Sequence, residues 1–217
     1  MILEVDKESI FNLVCKQVEN SFTISETEKK QIENTIDETL DACEENFLNS
    51  TNKYFTTVIE GKLEAYFSPF HSVQWMVFLY YLGNRIFKNG GGKICDKLYY
   101  LNKMMNGIDL FYAIEMPCHF GAEHPIGSVM GRAKYGDGFF FYQGCTVGGT
   151  KDKDGFIHYP IIEDNVRMYA NSSILGNCHI GKNAQIGAGA LIKNQDIPND
   201  SIVFGESPNI IIKYNKK

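Results

Sequence analysis

Ile162, Met168, Ile174, Ile180, Ile186 and Ile192 fall at every sixth position, a period that neither an α-helix nor an ordinary strand has. Four places after each of the first five stand Val166, Ser172, Cys178, Ala184 and Ala190, all small or β-branched. Glycine follows the apolar residue at Ile180-Gly181 and Ile186-Gly187. A short repeat of this kind predicts a solenoid, in which each unit buries its apolar residue only against its neighbours in the stack.

Each hexad reads as one flat side of a triangular prism. The large aliphatic residue fills the interior, the small one fits near the corner, and Gly, Asn or Asp turns the corner where unusual backbone angles are needed. Three hexads make one coil, and the pattern is that of the hexapeptide left-handed parallel β-helix, an exception to the usual right-handed crossover. The register runs backwards through Val147, Phe141 and Tyr135, with larger interior residues. Between Val147 and Ile162 it breaks. The polar, glycine-containing stretch from Gly148 to His158 must leave the stack as a loop, placed at about 148–160, and loops on rigid scaffolds commonly carry function.

The first hundred residues read as helices. Ser25-Glu26-Thr27-Glu28 is a capping box, after which Ile32, Ile36, Leu40, Cys43 and Phe47 draw one apolar stripe. A second helix is expected over 70–87, ended by Asn89-Gly90-Gly91-Gly92, and apolar round most of its circumference, as a helix buried against others or against another subunit would be. A third, 93–105, closes at Asn106-Gly107. The expected organisation is therefore α+β: an α-helical domain over 1–107, then a left-handed β-helix over 108–217.

A net charge of -5 disfavours nucleic acid as a partner. The longest apolar run, around Trp75 to Leu82, is too short to span a bilayer, and no signal peptide is visible in residues 1–8, so a soluble, cytoplasmic protein is expected. The six cysteines form no CxxC pair and no His/Cys cluster at zinc spacing; buried thiols and no metal site are expected.

Two histidines bracket the loop: His124, in Glu123-His124-Pro125-Ile126-Gly127, and His158 at its far end. An imidazole suits proton abstraction from an alcohol near neutral pH, provided a carboxylate fixes its tautomer. Asp109, Glu115 and Glu123 are the nearby carboxylates, and His119 competes for the same role; spacing alone leaves both choices open.

From Phe70 onward the chain resembles the serine O-acetyltransferases, hexapeptide-repeat enzymes that acetylate L-serine with acetyl-CoA. The resemblance rests on Phe70-His71-Ser72-Val73-Gln74, on Asn106-Gly107-Ile108-Asp109 with a histidine, His124, fifteen residues on, and on Gly148-Gly149-Thr150 with His158 eight past the threonine. It implies that His124 is the general base, oriented by Asp109, and that His158, from the loop of a neighbouring subunit, lines the same site. It implies a homotrimer, which helical domains can pair into a dimer of trimers, with acetyl-CoA as co-substrate along the groove between prisms. Gly149, Thr150, Ala170, Ala188 and Gly189 would then line the cofactor, with Lys193, ahead of Lys182, at a CoA phosphate.

Departures from the family bear on the acceptor. Glu123 stands where the family has an aspartate that contacts serine. Ile157 replaces the arginine that binds its carboxylate, and an aliphatic side chain makes no such contact. The C-terminal Ile210-Ile211-Ile212-Lys213-Tyr214-Asn215-Lys216-Lys217 lacks the terminal isoleucine that docks into cysteine synthase, so that partnership is not expected. Three functions follow: O-acetylation of serine or a close analogue, O-acetylation of a sugar or polysaccharide precursor, or a non-catalytic assembly protein. The retained His124, Asp109 and His158 argue against the third.

Overall fold

In the computed structural model, which describes residues 1–50 and 52–214, the chain forms two compact units. The first comprises Met1–Asn106 with Phe111–Ala113, the second Gly107–Leu110 with the residues from Ile114 onward. Residues 215–217, part of the segment on which the docking expectation rests, lie outside the described residues.

The first unit holds four helices, α1 (Lys7–Glu19), α2 (Glu26–Leu48), α3 (Ser72–Lys88) and α4 (Lys93–Asn106). The capping box is present: Ser25 Oγ accepts from the Glu28 amide and Glu28 returns the bond to the Ser25 amide. The whole stripe from Ile32 to Phe47 is buried, as helical periodicity requires. α3 starts two residues later than its apolar pattern implies, because the His71 imidazole takes the cap position and accepts from the Gln74 amide at 3.4 Å. Its breadth of apolar character matches its burial between α2, α4 and a small sheet.

That sheet corrects the all-helical reading of the first hundred residues. β1 (Ile2–Leu3) pairs parallel with β3 (Lys62–Phe67), and β2 (Thr56–Ile59) pairs antiparallel with β3. Glu60 and Gly61, both at positive φ, make the two-residue hairpin turn. Gln74 then ties hairpin to helix: buried, it accepts from the Ser68 amide and donates to the Tyr54 and Tyr66 carbonyls. Phe67, Trp75 and Phe78 pack as rings 5.0–6.3 Å apart beneath it.

The second unit is a three-faced parallel β-helix. One face stacks Asp109–Leu110, Val129–Met130, Thr146–Gly148, Ser173–Leu175 and Leu191–Lys193. The next stacks Phe120–Ala122, Phe139–Phe141, Arg167–Met168, Gln185–Ile186 and Ser201–Phe204, with Ile211–Tyr214 folded antiparallel on its end. The third stacks Lys134–Tyr135, Ile161–Ile162 and His179–Ile180. All six hexad residues from Ile162 to Ile192 are at most 1% exposed, and so are or nearly are the small residues of the second register.

Ile162 stacks on Ile180, a coil of 18 residues; Tyr135 stacks on Ile162, a coil of 27. The nine extra residues are the ejected loop. At one corner Asn165, Asn183 and Asp200 sit at φ 55–58°, and Asn165 donates to Asn183, which donates to Asp200. Short amide and carboxylate side chains tolerate left-handed backbone and knit one coil to the next. Among the described residues no helix is long and apolar enough to cross a membrane.

Candidate active site

His124 occupies a turn that backbone geometry marks as special. It is a non-glycine residue at φ +51°, followed by a buried proline, and its carbonyl accepts from the Ile126 amide at 2.7 Å. Such conformations persist only where the surroundings enforce them, and they cluster at functional sites. The surroundings here are the entry to the β-helix. Gly127 donates to the Gly107 carbonyl at 2.8 Å and Asp109 donates its amide to the Ser128 carbonyl at 2.9 Å. Asp109 and His124 are thus carried by adjacent, hydrogen-bonded segments.

Glu123 points outward at the end of Phe120–Ala122, its amide bonded to the Phe141 carbonyl. On the coil below stands Tyr142, stacked on Tyr169 with ring centroids 5.4 Å apart and planes 10° apart. Burial, then the nearby Glu123 charge, pushes the Tyr142 phenol above its ordinary pKa. No spacing rule in the sequence points to these two tyrosines.

The turn of His124 begins an edge of the prism. The carbonyls of Ile126, Gln143 and Ala170 accept in turn from Gly144, Asn171 and Gly189, at 2.8–3.0 Å. Ala170, Ala188 and Gly189 therefore lie on the same edge as His124's turn, Ala170 two coils along it and Ala188 and Gly189 three. Ala188 and Gly189 are exposed, and the space beside the Gly189 α-carbon is open.

The other cofactor candidates lie on a different edge. Gly148, Gly176 and Asn194 stack there: the Gly176 amide donates to the Gly148 carbonyl, and the Thr150 hydroxyl donates to Asn194 Oδ1 at 3.2 Å. The exposed Lys193 precedes Asn194, and beside it Lys193, Asn194, Gln195, Ser207 and Pro208 line a shallow cavity of about 310 Å³. The six cofactor candidates thus divide three and three between the two edges that bound one face. Lys182 is on the third corner, paired to Asp164 at 3.1 Å.

His158 and Ile157 belong to the ejected loop, an antiparallel hairpin with Thr150 opposite His158 and Lys151 opposite Ile157. Ile157 is 49% exposed and carries no charge to the surface. His158 Nε2 lies 2.7 Å from Asp152 Oδ2, a partner that the sequence did not single out. His119, the competing imidazole, is held by Asp137 at 2.6 Å on another corner, and a further pair, His179 with Glu163 at 2.8 Å, decorates the third face. Among the described residues no group of three or more His, Cys, Asp or Glu side chains is gathered to hold a metal.

Comparison with known proteins bears on the fold and on the chain's relatives. The bacterial transferase hexapeptide (six repeats) family matches residues 159–194. The serine acetyltransferase of Synechococcus elongatus is 33% identical over 117 residues, 54% of this chain and 47% of that protein. The chain spans between about half and two thirds of the curated relatives it matches first. Among solved structures, serine acetyltransferase from Vibrio cholerae superposes with a TM-score of 0.74 at 18% identity, covering 97% of this chain and 80% of that one. A serine acetyltransferase in complex with CoA gives 0.64 at 16% identity, covering 94% and 83%. The chain is thus an α+β protein, helices followed by a left-handed β-helix of hexapeptide repeats, and its relatives in sequence and structure are the serine acetyltransferases.

Proposed function

We propose that this protein is an acetyl-CoA-dependent O-acetyltransferase that acetylates the hydroxyl of L-serine or a close analogue. The observation that carries the reading is the single prism edge that starts at the strained His124 turn and continues through Ala170 to the open shelf at Ala188 and Gly189. An extended thioester laid along that edge would bring its acetyl group to the imidazole. With coils about 4.8 Å apart, the three steps span roughly 14 Å, enough for a pantetheine arm.

In this mechanism His124 removes the proton of the acceptor hydroxyl, and Asp109 orients the ring. The hydroxyl oxygen attacks the thioester carbonyl carbon. Backbone amides or an imidazolium stabilise the tetrahedral oxyanion. Collapse breaks the carbon–sulfur bond, and the proton held by His124 passes to the departing thiolate. Glu123 lies next to the base, suited to an acceptor ammonium or hydroxyl. Lys193, beside the shallow cavity on the second edge, is suited to a CoA phosphate.

The assembly is a homotrimer in this reading, with the helical units able to join two trimers, and the setting is cytoplasmic. The attachment of the loop supports it: His158's hairpin leaves from the edge at Gly148, across one face from the His124 edge. Apposed edges of two protomers would supply both histidines to one groove, as a single prism edge does not.

Ile157 favours a second reading, a sugar or polysaccharide-precursor acceptor, because its exposed aliphatic side chain offers nothing to a carboxylate. Thiol release from acetyl-CoA by the purified protein, with L-serine set against a panel of sugars and nucleotide sugars, decides. Turnover with serine supports the first reading; inert serine with an acetylated sugar supports the second; no thiol release with any acceptor ends both.

A further inference from the structure

We propose that Asp152 is the positioning residue of His158, fixing its ring and its tautomer so that Nδ1 faces the acceptor as a lone pair. This rests on the reading that His158 lines the acceptor site. Asp152 is itself held before it acts. Its Oδ1 accepts the backbone amides of Asp154 and Phe156, both at 2.9 Å, and its own amide donates to the Phe156 carbonyl at 2.9 Å. Only Oδ2 is left for His158, and it lies 2.7 Å from Nε2. The bond from His158, the leading influence, with the two backbone amides, holds the Asp152 carboxyl below its ordinary pKa.

An ionised carboxylate has only lone pairs to offer, so Nε2 must carry the hydrogen. The neutral ring then has its acceptor at Nδ1. The hairpin keeps the ring where this matters. Thr150 and His158 are cross-strand partners, and Gly155 closes the tip at φ +87°. Ile157 and Tyr159 lie so close over Gly149 that an added β-carbon would meet each at 2.7 Å. Tyr159 is in turn covered by Arg132, 5.2 Å from the ring centroid. A ring so anchored can accept a hydrogen bond from a hydroxyl or ammonium; it cannot donate one from Nδ1 while neutral.

Asp152→Asn separates this role from mere bracing. Asparagine Oδ1 still accepts the two amides, so the turn is kept. Its NH2 replaces Oδ2 and donates to Nε2, which forces the hydrogen onto Nδ1. Nitrogen-15 spectra of histidine-labelled full-length protein, with the signal assigned by its loss in His158→Gln, should show the Nε2–H tautomer in the wild type and Nδ1–H in Asp152→Asn. The same tautomer in both proteins overturns the proposal, whatever the protein's activity. In the acetyl-transfer assay Asp152→Asn should raise the acceptor KM about tenfold, the loss of roughly one hydrogen bond, and leave kcat and the acetyl-CoA KM within about twofold. An unchanged acceptor KM in an active enzyme overturns the proposal and leaves the function standing. A wild type that transfers acetyl to nothing overturns the function, and with it the acceptor role of His158, while the tautomer measurement still decides what Asp152 does.

Discussion

The coils from Ile162 to Ile192 and the coils before them are the same architecture built to different tolerances. In the later coils every interior position is a medium aliphatic residue or Met168, every second-register position is small or β-branched, and successive coils differ by 18 residues. In the earlier coils Tyr135, Phe139 and Phe141 fill the interior, a nine-residue loop interrupts one coil, and a histidine stands at positive φ. In the regular coils the corner side chains of Asn165, Asn183 and Asp200 bond to one another. The irregular coils leave His124 strained, Glu123 beside a tyrosine stack, and a hairpin projecting from the flank. Periodicity supplies rigidity, and the departures from it supply the places where chemistry can be done.

If that division is right, His124→Asn should separate the two properties. Asparagine tolerates the left-handed backbone but cannot take a proton at neutral pH. Acetyl transfer should fall at least about 100-fold, the low end for losing a general base, with the melting temperature unchanged. Equal activity would remove His124 from the mechanism. In the regular stack the reverse is expected. Ile174, fully buried between Val147 and Ile192 of the neighbouring coils, should cost about 2–5 kcal/mol as alanine. Phe156→Ala in the loop, where the ring is 70% exposed, should stay within about 0.5 kcal/mol. Chemical denaturation reads both, and similar losses at the two sites would break the contrast.

A smaller effect is expected where the two regions meet. Gly176 has φ +79°, and a β-carbon there would lie 2.1 Å from Thr150 Oγ1 and 2.2 Å from Asn194 Oδ1. Both obstructing atoms end movable side chains, so the left-handed backbone sets the cost of Gly176→Ala at about 1–2 kcal/mol. The variant should also part Thr150 from Asn194, raising the KM for acetyl-CoA if that edge carries the cofactor. A change in stability with no change in that KM would place the cofactor on the His124 edge alone.

The interior of the prism was legible because one residue in six must be apolar, whatever else the chain does. The capping box and the Ile32 to Phe47 stripe were legible for the same reason: their physics is local. The β2–β3 hairpin was not, since it is short, lies between long helices and is fixed to them by Gln74, a residue with no strand signature. His71 as a helix cap was missed because imidazole is an uncommon cap. His124 and His158 could be named from their spacing, but Asp152, the partner of His158, and the tyrosines beside Glu123 could not. Asp152 reaches His158 only because a two-stranded register folds residue 152 back across residue 158, and Tyr142 meets Glu123 and Tyr169 only because coils of unequal length align them. The division of the cofactor candidates between two edges likewise depends on where each hexad ends.

Acid should loosen the loop before it touches the stack. The folded Asp152 pKa is lowered, chiefly by the bond from His158, so its contribution is present above the ordinary aspartate value near 3.9 and is lost as pH falls from there through the depressed value. The amides of Asp154 and Phe156, which donate to Asp152 Oδ1, report on it directly. Their hydrogen-exchange protection should be constant through neutral pH and decline below about pH 4. The Arg167 amide, bonded to the Ala184 carbonyl inside the regular stack, should show no decline over the same interval. In Asp152→Asn the loop amides should lose their pH dependence, because asparagine accepts them without titrating. Parallel declines at all three amides would mean that acid opens the β-helix as one unit, and that loop and stack are not separately stable.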